Sequence, residues 1–293
     1  MFRKSVFPPV VLAATLVLVG CGGDNIVKLP APVLSNTVAL TLGNRIISFN
    51  RTAPQTITSM SPVVTGLQTN ETLLGIDYRP ANGLLYAVGS SGAVYQLDPL
   101  SGVASNRVAL ISAAIDNSAI TLSGTSFGVD FNPQSDRLRV VSNTGQNLRI
   151  NLGLVNGNTT VDTPLLVSVA VSGSAYTNSF PGAVSTRLFS INLANNTLSE
   201  QGMLNPDTGT TQPNDGTQTI VAALGVTPVG VNGFDIDGRG NLGFAALTAG
   251  NGTLLYSINL SPAAGASAAT AVGPIGDATQ SILGLALAPV AAP

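Results

Sequence analysis

The 293-residue chain has no histidine, no tryptophan, one cysteine (Cys21) and only two glutamates, Glu71 and Glu200. Each shortage removes a class of chemistry. Without histidine there is no Ser-His-Asp or Cys-His arrangement, no imidazole base and no histidine zinc site. With one cysteine no disulfide can form within the chain, so packing must supply the stability. Charged residues make up 9% of the chain and the net charge is −2. No basic patch can therefore neutralise a phosphate backbone, and nucleic acid is not expected as a partner. No cofactor or metal is expected from the composition, and any catalysis would rest on aspartates, arginines, tyrosines or a bound metal. What is abundant is Gly, Ser, Thr, Asn and Val, a composition of strands and tight turns.

The chain opens Met1-Phe2-Arg3-Lys4 and continues with an apolar run from Val10 to Val19, broken only by Thr15. A basic start before a short apolar run is a secretory signal pattern, and the run is too short to span a bilayer. It ends in Leu18-Val19-Gly20-Cys21, which resembles the lipobox of bacterial lipoproteins. That resemblance implies lipidation of Cys21 and a signal peptide over residues 1–20. Gly22 after the cysteine implies the outer membrane, in a Gram-negative cell. Residues 21–36, with Gly22-Gly23 and Pro30-Ala31-Pro32, read as a tether. Residues 37–293 read as one domain.

That domain repeats. Gly75-Ile76-Asp77-Tyr78-Arg79-Pro80 recurs as Gly128-Val129-Asp130-Phe131-Asn132-Pro133, an ungapped offset of 53 residues (75 to 128) that carries Gly92 onto Gly145. A further copy begins at Gly233-Phe234-Asp235-Ile236, and a divergent copy contains Ala175-Tyr176-Thr177-Asn178. Each unit reads as strand, turn, strand, turn, strand. The C-terminal Leu283-Gly284-Leu285-Ala286-Leu287 matches the first strand of a unit, whereas residues 38–50 match later strands. These features predict an all-β fold: a β-propeller of five four-stranded blades, one closed by strands from both termini. Six blades is the alternative count.

The string from Asp136 to Arg149, with Ala175-Tyr176-Thr177-Asn178-Ser179 and Pro213-Asn214-Asp215-Gly216-Thr217, resembles the bacterial family classed as domain of unknown function 4394. The resemblance covers residues 38–289 and implies a secreted or envelope β-repeat protein. It carries no catalytic residues with it.

Two groups of residues merit attention. Asp77, Asp130 and Asp235 occupy equivalent first-strand positions, with Ala286 in the split unit. If those strands line the axis, three carboxylates converge there. They either accept backbone hydrogen bonds between blades, or bind a hard cation, or divide acid and base roles in glycoside cleavage. The second group, Asn143, Gln146, Asn147 and Arg149, departs from its counterparts Ser90, Ala93, Val94 and Gln96. Strand alternation puts Asn147 and Arg149 on one face, predicted to be a ligand-accessible one. Tyr176 and Asn178 take the place of Gly-x-Asp in the divergent unit and join these ligand-binding candidates. Asp235 to Asn241 invites a calcium-loop reading but lacks the later ligands, and an ordinary turn is expected.

The expected function is a monomeric, envelope-anchored lipoprotein with a non-enzymatic binding or scaffold propeller, its partner an envelope glycan or protein. The alternative is a carbohydrate-active enzyme using the three aspartates.

Overall fold

The computed structural model describes residues 33–291, apart from residues 115, 155–156, 167–169, 231 and 251. The expected signal peptide, Cys21 and most of the expected tether lie outside the described residues. Among those described, no helix is long and apolar enough to cross a membrane.

The domain is a five-bladed β-propeller. Blade 1 holds β1 (Thr37–Thr41), β2 (Ile46–Asn50) and β3 (Ala53–Met60), with β23 (Ile282–Leu287) as its innermost strand. Blade 2 runs β4 (Leu73–Tyr78), β5 (Leu85–Gly89), β6 (Ala93–Leu97) and β7 (Ala104–Ala109). Blade 3 runs β9 (Phe127–Asn132), β10 (Arg137–Ser142), β11 (Asn147–Asn151) and β12 (Asn158–Val161). A short strand, β8 (Ile111–Ser112), leaves blade 2 and pairs in parallel with the outer edge of blade 3. Blade 4 comprises β13 (Val171–Tyr176), β14 (Leu188–Asn192), β15 (Thr197–Gln201) and β18 (Gln218–Ala223). Between its last two strands sits an inserted hairpin, β16 (Met203–Asn205) with β17 (Thr210–Gln212). Blade 5 comprises β19 (Gly233–Ile236), β20 (Gly243–Ala249), β21 (Gly252–Ile258) and β22 (Ala269–Pro274).

The ring closes as the two ends of the sequence indicate. β23 pairs antiparallel with β1, Thr37 opposite Leu287 and Ala39 opposite Leu285. The free edges of an open array are thereby used up.

Five glycines set the radius of the axis. Gly75, Gly128, Gly173, Gly233 and Gly284 each begin the same four-residue stretch of an innermost strand. A Cβ on Gly75 would meet Val129 at 2.5 Å, one on Gly173 would meet Phe234 at 2.8 Å, and one on Gly233 would meet the Leu285 backbone at 2.6 Å. The same holds for Gly128 against Ser174 and Gly284 against Ile76, so the contacts run round the whole ring. The innermost strands thus approach more closely than any side chain permits. Outside this ring, alternate strand residues fill the space between blades. Val129, Phe131, Val140, Leu148 and Ile150 form one such layer, and Phe189, Ile191, Phe234, Ile236 and Leu247 another.

Deleting residues 282–293 is expected to lower the melting temperature of the entire domain by more than about 10 °C, because it removes a core strand and opens the ring. Thermal melts of intact and truncated mature domains measure this. An unchanged midpoint would refute closure by strand exchange.

Candidate functional site

The three aspartates converge on the axis. Carboxylate oxygens of Asp77, Asp130 and Asp235 lie within 4.8 Å of one another, and all three residues are buried. Each reaches to the next blade. Asp77 Oδ2 accepts the Phe131 N–H at 2.7 Å, Asp130 Oδ1 accepts the Tyr176 N–H at 3.1 Å, and Asp235 Oδ2 accepts the Leu287 N–H at 2.6 Å. Asp235 Oδ1 also takes the Ile236 N–H at 2.6 Å. The donors stand one residue beyond the equivalent of the acceptor, so the contact is a repeated latch between blades. Blades 1 and 4 carry Ala286 and Ala175 at this position. The counterpart in blade 4 is therefore Gly173-Ser174-Ala175, and the expectation that Tyr176 and Asn178 stand in for Gly-x-Asp is corrected: the equivalent positions lie three residues earlier.

Burial pushes all three carboxyls upward, and mutual repulsion adds to it at Asp77 and Asp130. Asp235 rises to about 7 by burial, opposed by the amides of Leu287 and Ile236 and, more weakly, by the Arg51 charge. Burial and Asp77 push the neighbouring Tyr78 phenol to about 12, so it stays neutral. Three ionised carboxylates cannot share such a space unaided. They must hold protons or a cation between them. These are the residues able to hold a metal, but calcium takes six to eight oxygens, and backbone amides already engage one oxygen each of Asp77 and Asp130 and both of Asp235. The donor set fits shared protons better. The space beside the axis is narrow: the cavity lined by the axial glycines and that beside Asp235 are each about 10 Å³, room for one water at most.

The second candidate group is placed differently from expectation. Asn147 and Arg149 do share a face, with Leu148 and Ile150 in the core on the other. Yet Asn147 is only 1% exposed, not at a ligand-accessible surface. Its Oδ1 accepts from Arg139 at 2.8 Å, and its Nδ2 donates to the Thr163 and Pro213 carbonyls at 3.0 Å each. Arg149, with 35% of its side chain exposed, grips Asp162 through Nε and Nη2 at 3.1 and 3.0 Å. Asn143 and Gln146 clamp the loop before β9. Asn143 Oδ1 accepts the Thr125 N–H at 2.9 Å, Gln146 Oε1 accepts the Ser123 N–H at 2.9 Å, and Gln146 Nε2 donates to the Thr121 carbonyl at 2.9 Å. The physical reason is local. The chain before blade 3 and the hairpin of blade 4 fold over this face and consume its hydrogen-bonding capacity.

At the centre of that arrangement is Arg139, which the sequence reading did not single out. It is 2% exposed and faces blade 4. Its guanidinium donates to Asp162 at 2.7 Å, Asn147 at 2.8 Å, Asn214 at 2.6 Å and the Tyr176 hydroxyl at 3.3 Å. Burial alone would lower its pKa, but Tyr176 and Asp162 more than offset that. Removing one partner of such a buried pair costs about 3–5 kcal/mol. The signal was present in Arg137-Leu138-Arg139-Val140-Val141: a cation at an inward-facing position of a strand. Its partners, spread from residue 147 to residue 214, were not inferable from spacing.

Asn178 borders a cleft of about 310 Å³ between blades 4 and 5 and exchanges two hydrogen bonds with Asn241, each at 2.8 Å. Asp237 accepts the amides of Arg239 and Gly240 and pairs with Arg51 at 2.6 Å, so the Asp235–Asn241 segment is a pinned turn. A more open groove of about 560 Å³ lies on blade 2, walled mainly by aliphatic side chains such as Leu84, Leu100 and Val103.

The family described as domain of unknown function (DUF4394) matches residues 45–286. The chain belongs to that family. The DUF4394 match covers most of the propeller, from the start of β2 to the last strand. No curated protein matches the chain. Among solved structures, the chain is similar to a protein of unknown function from Bacteroides thetaiotaomicron VPI-5482, at 15% identity and TM-score 0.47, covering 76% of this chain and 54% of that one. It is also similar to BamB from Moraxella catarrhalis, at 13% identity and TM-score 0.32, covering 78% and 56%. A nidogen/laminin complex matches at 10% identity and TM-score 0.44, covering 86% and 97%. The chain thus spans little more than half the length of the first two.

The axial carboxyls give a pH prediction of defined sign. Their folded pKa values lie above the unfolded value of about 3.9, so their contribution is full below about pH 4 and falls as pH rises, for Asp235 through about 7. Each pKa unit is worth about 1.4 kcal/mol, so the loss amounts to a few kcal/mol. Asp98 and Asp237, held below the usual carboxylate range by backbone amides against the opposing effect of burial, act in the opposite direction on further acidification. The urea midpoint is expected to be higher at about pH 5 than at about pH 8, and Asp130→Asn, which keeps an oxygen for the Tyr176 N–H, should raise it at the higher pH. A midpoint that climbs between those values contradicts a protonated triad.

Proposed function

We propose that this protein is an envelope-anchored lipoprotein, tethered through Cys21, whose propeller is a non-enzymatic binding or scaffold module. The observation that carries the reading is the use made of the three aspartates: each is buried and spent on a backbone amide of the next blade. A glycosidase needs two carboxyls flanking an open groove, about 5–5.5 Å apart for retention or about 6.5–9.5 Å for inversion. Here the three carboxyls are buried together on backbone amides, beside cavities of about 10 Å³, with no open groove between them among the described residues. The anchoring half of the reading is supported by Leu18-Val19-Gly20-Cys21 after its short apolar run. Two acyl chains suffice for stable attachment. The outer membrane is the proposed location and the monomer the proposed state.

Fractionation with metabolic lipid labelling tests the anchor: wild type should be labelled and pellet with membranes, and Cys21→Ser should not be labelled. The purified mature domain should release no aglycone from chromogenic glycosides. Unlabelled wild type in the soluble fraction would overturn the anchor. Turnover abolished by Asp77→Asn would overturn the non-enzymatic reading.

A further inference from the structure

On the side of the propeller where Asp237 and Asn178 lie, neighbouring blades are pinned together at the rim. Arg79 of blade 2 grips Asp136 of blade 3 through Nε at 2.8 Å and Nη2 at 2.5 Å, and Asp237 of blade 5 pairs with Arg51 of blade 1. Counted from the axial glycine of each blade, Arg79 and Asp237 occupy the same position, and blade 4 has Thr177 there. A short hydroxyl side chain replaces a charged pin. The uncharged Asn178–Asn241 exchange holds the two blades instead, and beside it the 310 Å³ cleft stands open. That volume is at the lower end of the range for small-molecule sites.

Two features peculiar to blade 4 border this cleft. Its first connection covers residues 177–187, where blades 2, 3 and 5 use 79–84, 133–136 and 237–242. The inserted hairpin contributes Gly209 to the wall. In repeat proteins, insertions confined to one repeat carry function more often than the repeated frame does. The hairpin's far side is braced by the buried Arg139 network through Asn214 and the Pro213 carbonyl, which also receives Gln201 Nε2 at 3.0 Å.

The lining has spare hydrogen-bonding capacity and little spare charge. Arg187 lies over the Phe189 ring at 5.1 Å and gives Nε and Nη2 to Glu200 at 2.6 and 2.5 Å. Its Nη1 has no partner among the described residues. Asn259 Oδ1 accepts the Ser261 N–H at 2.9 Å, and its amide NH₂ and the Ser261 hydroxyl, both on exposed residues, have no partner among the described residues. Leu260 supplies an aliphatic wall. A carboxylate or phosphate ligand would want an uncompensated cation, and Glu200 already matches Arg187. Paired donors and acceptors beside an aliphatic wall suit hydroxyl groups on a ring with an apolar face.

We propose that the cleft between blades 4 and 5 is a binding site for a neutral carbohydrate. The proposal rests on the binding-module reading and gives it a ligand class. Saturation-transfer NMR on the mature domain tests it, with glucose, galactose, N-acetylglucosamine and cellobiose as probes and with citrate and inorganic phosphate as the anionic arm. At least one saccharide should bind with Kd about 1 mM or tighter. Asn259→Asp keeps the turn acceptor but removes the free NH₂, and should weaken binding about tenfold or more at an unchanged melting temperature. Ser261→Phe should block the mouth; if that variant does not fold, Asn259→Asp decides alone. Saccharide binding unaffected by Asn259→Asp would overturn the cleft while leaving a binding module in place. Absence of saccharide binding, or preference for citrate or phosphate, would overturn the ligand class and with it the proposal.

Discussion

A carboxylate buried at the axis and bonded to the amide of the next blade is the contact on which the rest of this propeller depends. It can form only because glycine at the start of each innermost strand lets neighbouring strands come closer than a Cβ would permit. The close approach makes the latch short, and it also brings the latches within 4.8 Å of one another. Five such carboxyls would gather more charge than a dry axis can neutralise. Three are present, and Ala175 and Ala286 complete the ring without adding charge. The incomplete set of aspartates, which by itself suggests a partial active site, follows from this electrostatic limit.

Blade 4 departs from the repeat, and the Arg139 network accounts for how. Replacing the latch with Ala175 frees that blade's inner face of one constraint, and the neighbouring blade supplies another. Arg139 reaches from blade 3 to the Tyr176 hydroxyl and to Asn214, in the segment following the inserted hairpin. Asn147 and Gln201 close on the Pro213 carbonyl. A buried guanidinium is expensive unless every donor is used, and here four neighbours from separate parts of the chain use it. Such a network specifies where the hairpin sits more than it adds net stability.

Much of the architecture was legible in the sequence because turns and alternation repeat. The ungapped match from Gly75 to Gly128, and the resemblance of residues 283–289 to a first strand, lead directly to the closed ring. The equivalence of Asp77, Asp130 and Asp235 was equally plain, since the strings around them align. Blade 4 was harder. Gly173-Ser174-Ala175 lacks the carboxylate that marks the other copies, so the pattern of the strings alone points to the conspicuous Tyr176, three residues further on. Alternation correctly assigned Asn147 and Arg149 to one face of β11, but alternation says nothing about what covers that face. The cover comes from residues 162–163 and 213–214, which the repeat does not predict. The polar string 143–149 is thus mainly a set of braces, and the blade-specific surface lies one blade further on.

The propeller therefore combines a repeated frame, fastened at the axis, with one irregular blade that carries the distinctive surface. The axial carboxylates fasten the blades, and their bonds open only when the ring opens. Native-state hydrogen exchange of the Phe131, Tyr176 and Leu287 amides tests this most directly. All three are expected to exchange only through whole-domain unfolding, with one common free energy that falls together in a destabilising amount of urea. Exchange of these amides through local opening, well below the global free energy and insensitive to urea, would contradict it.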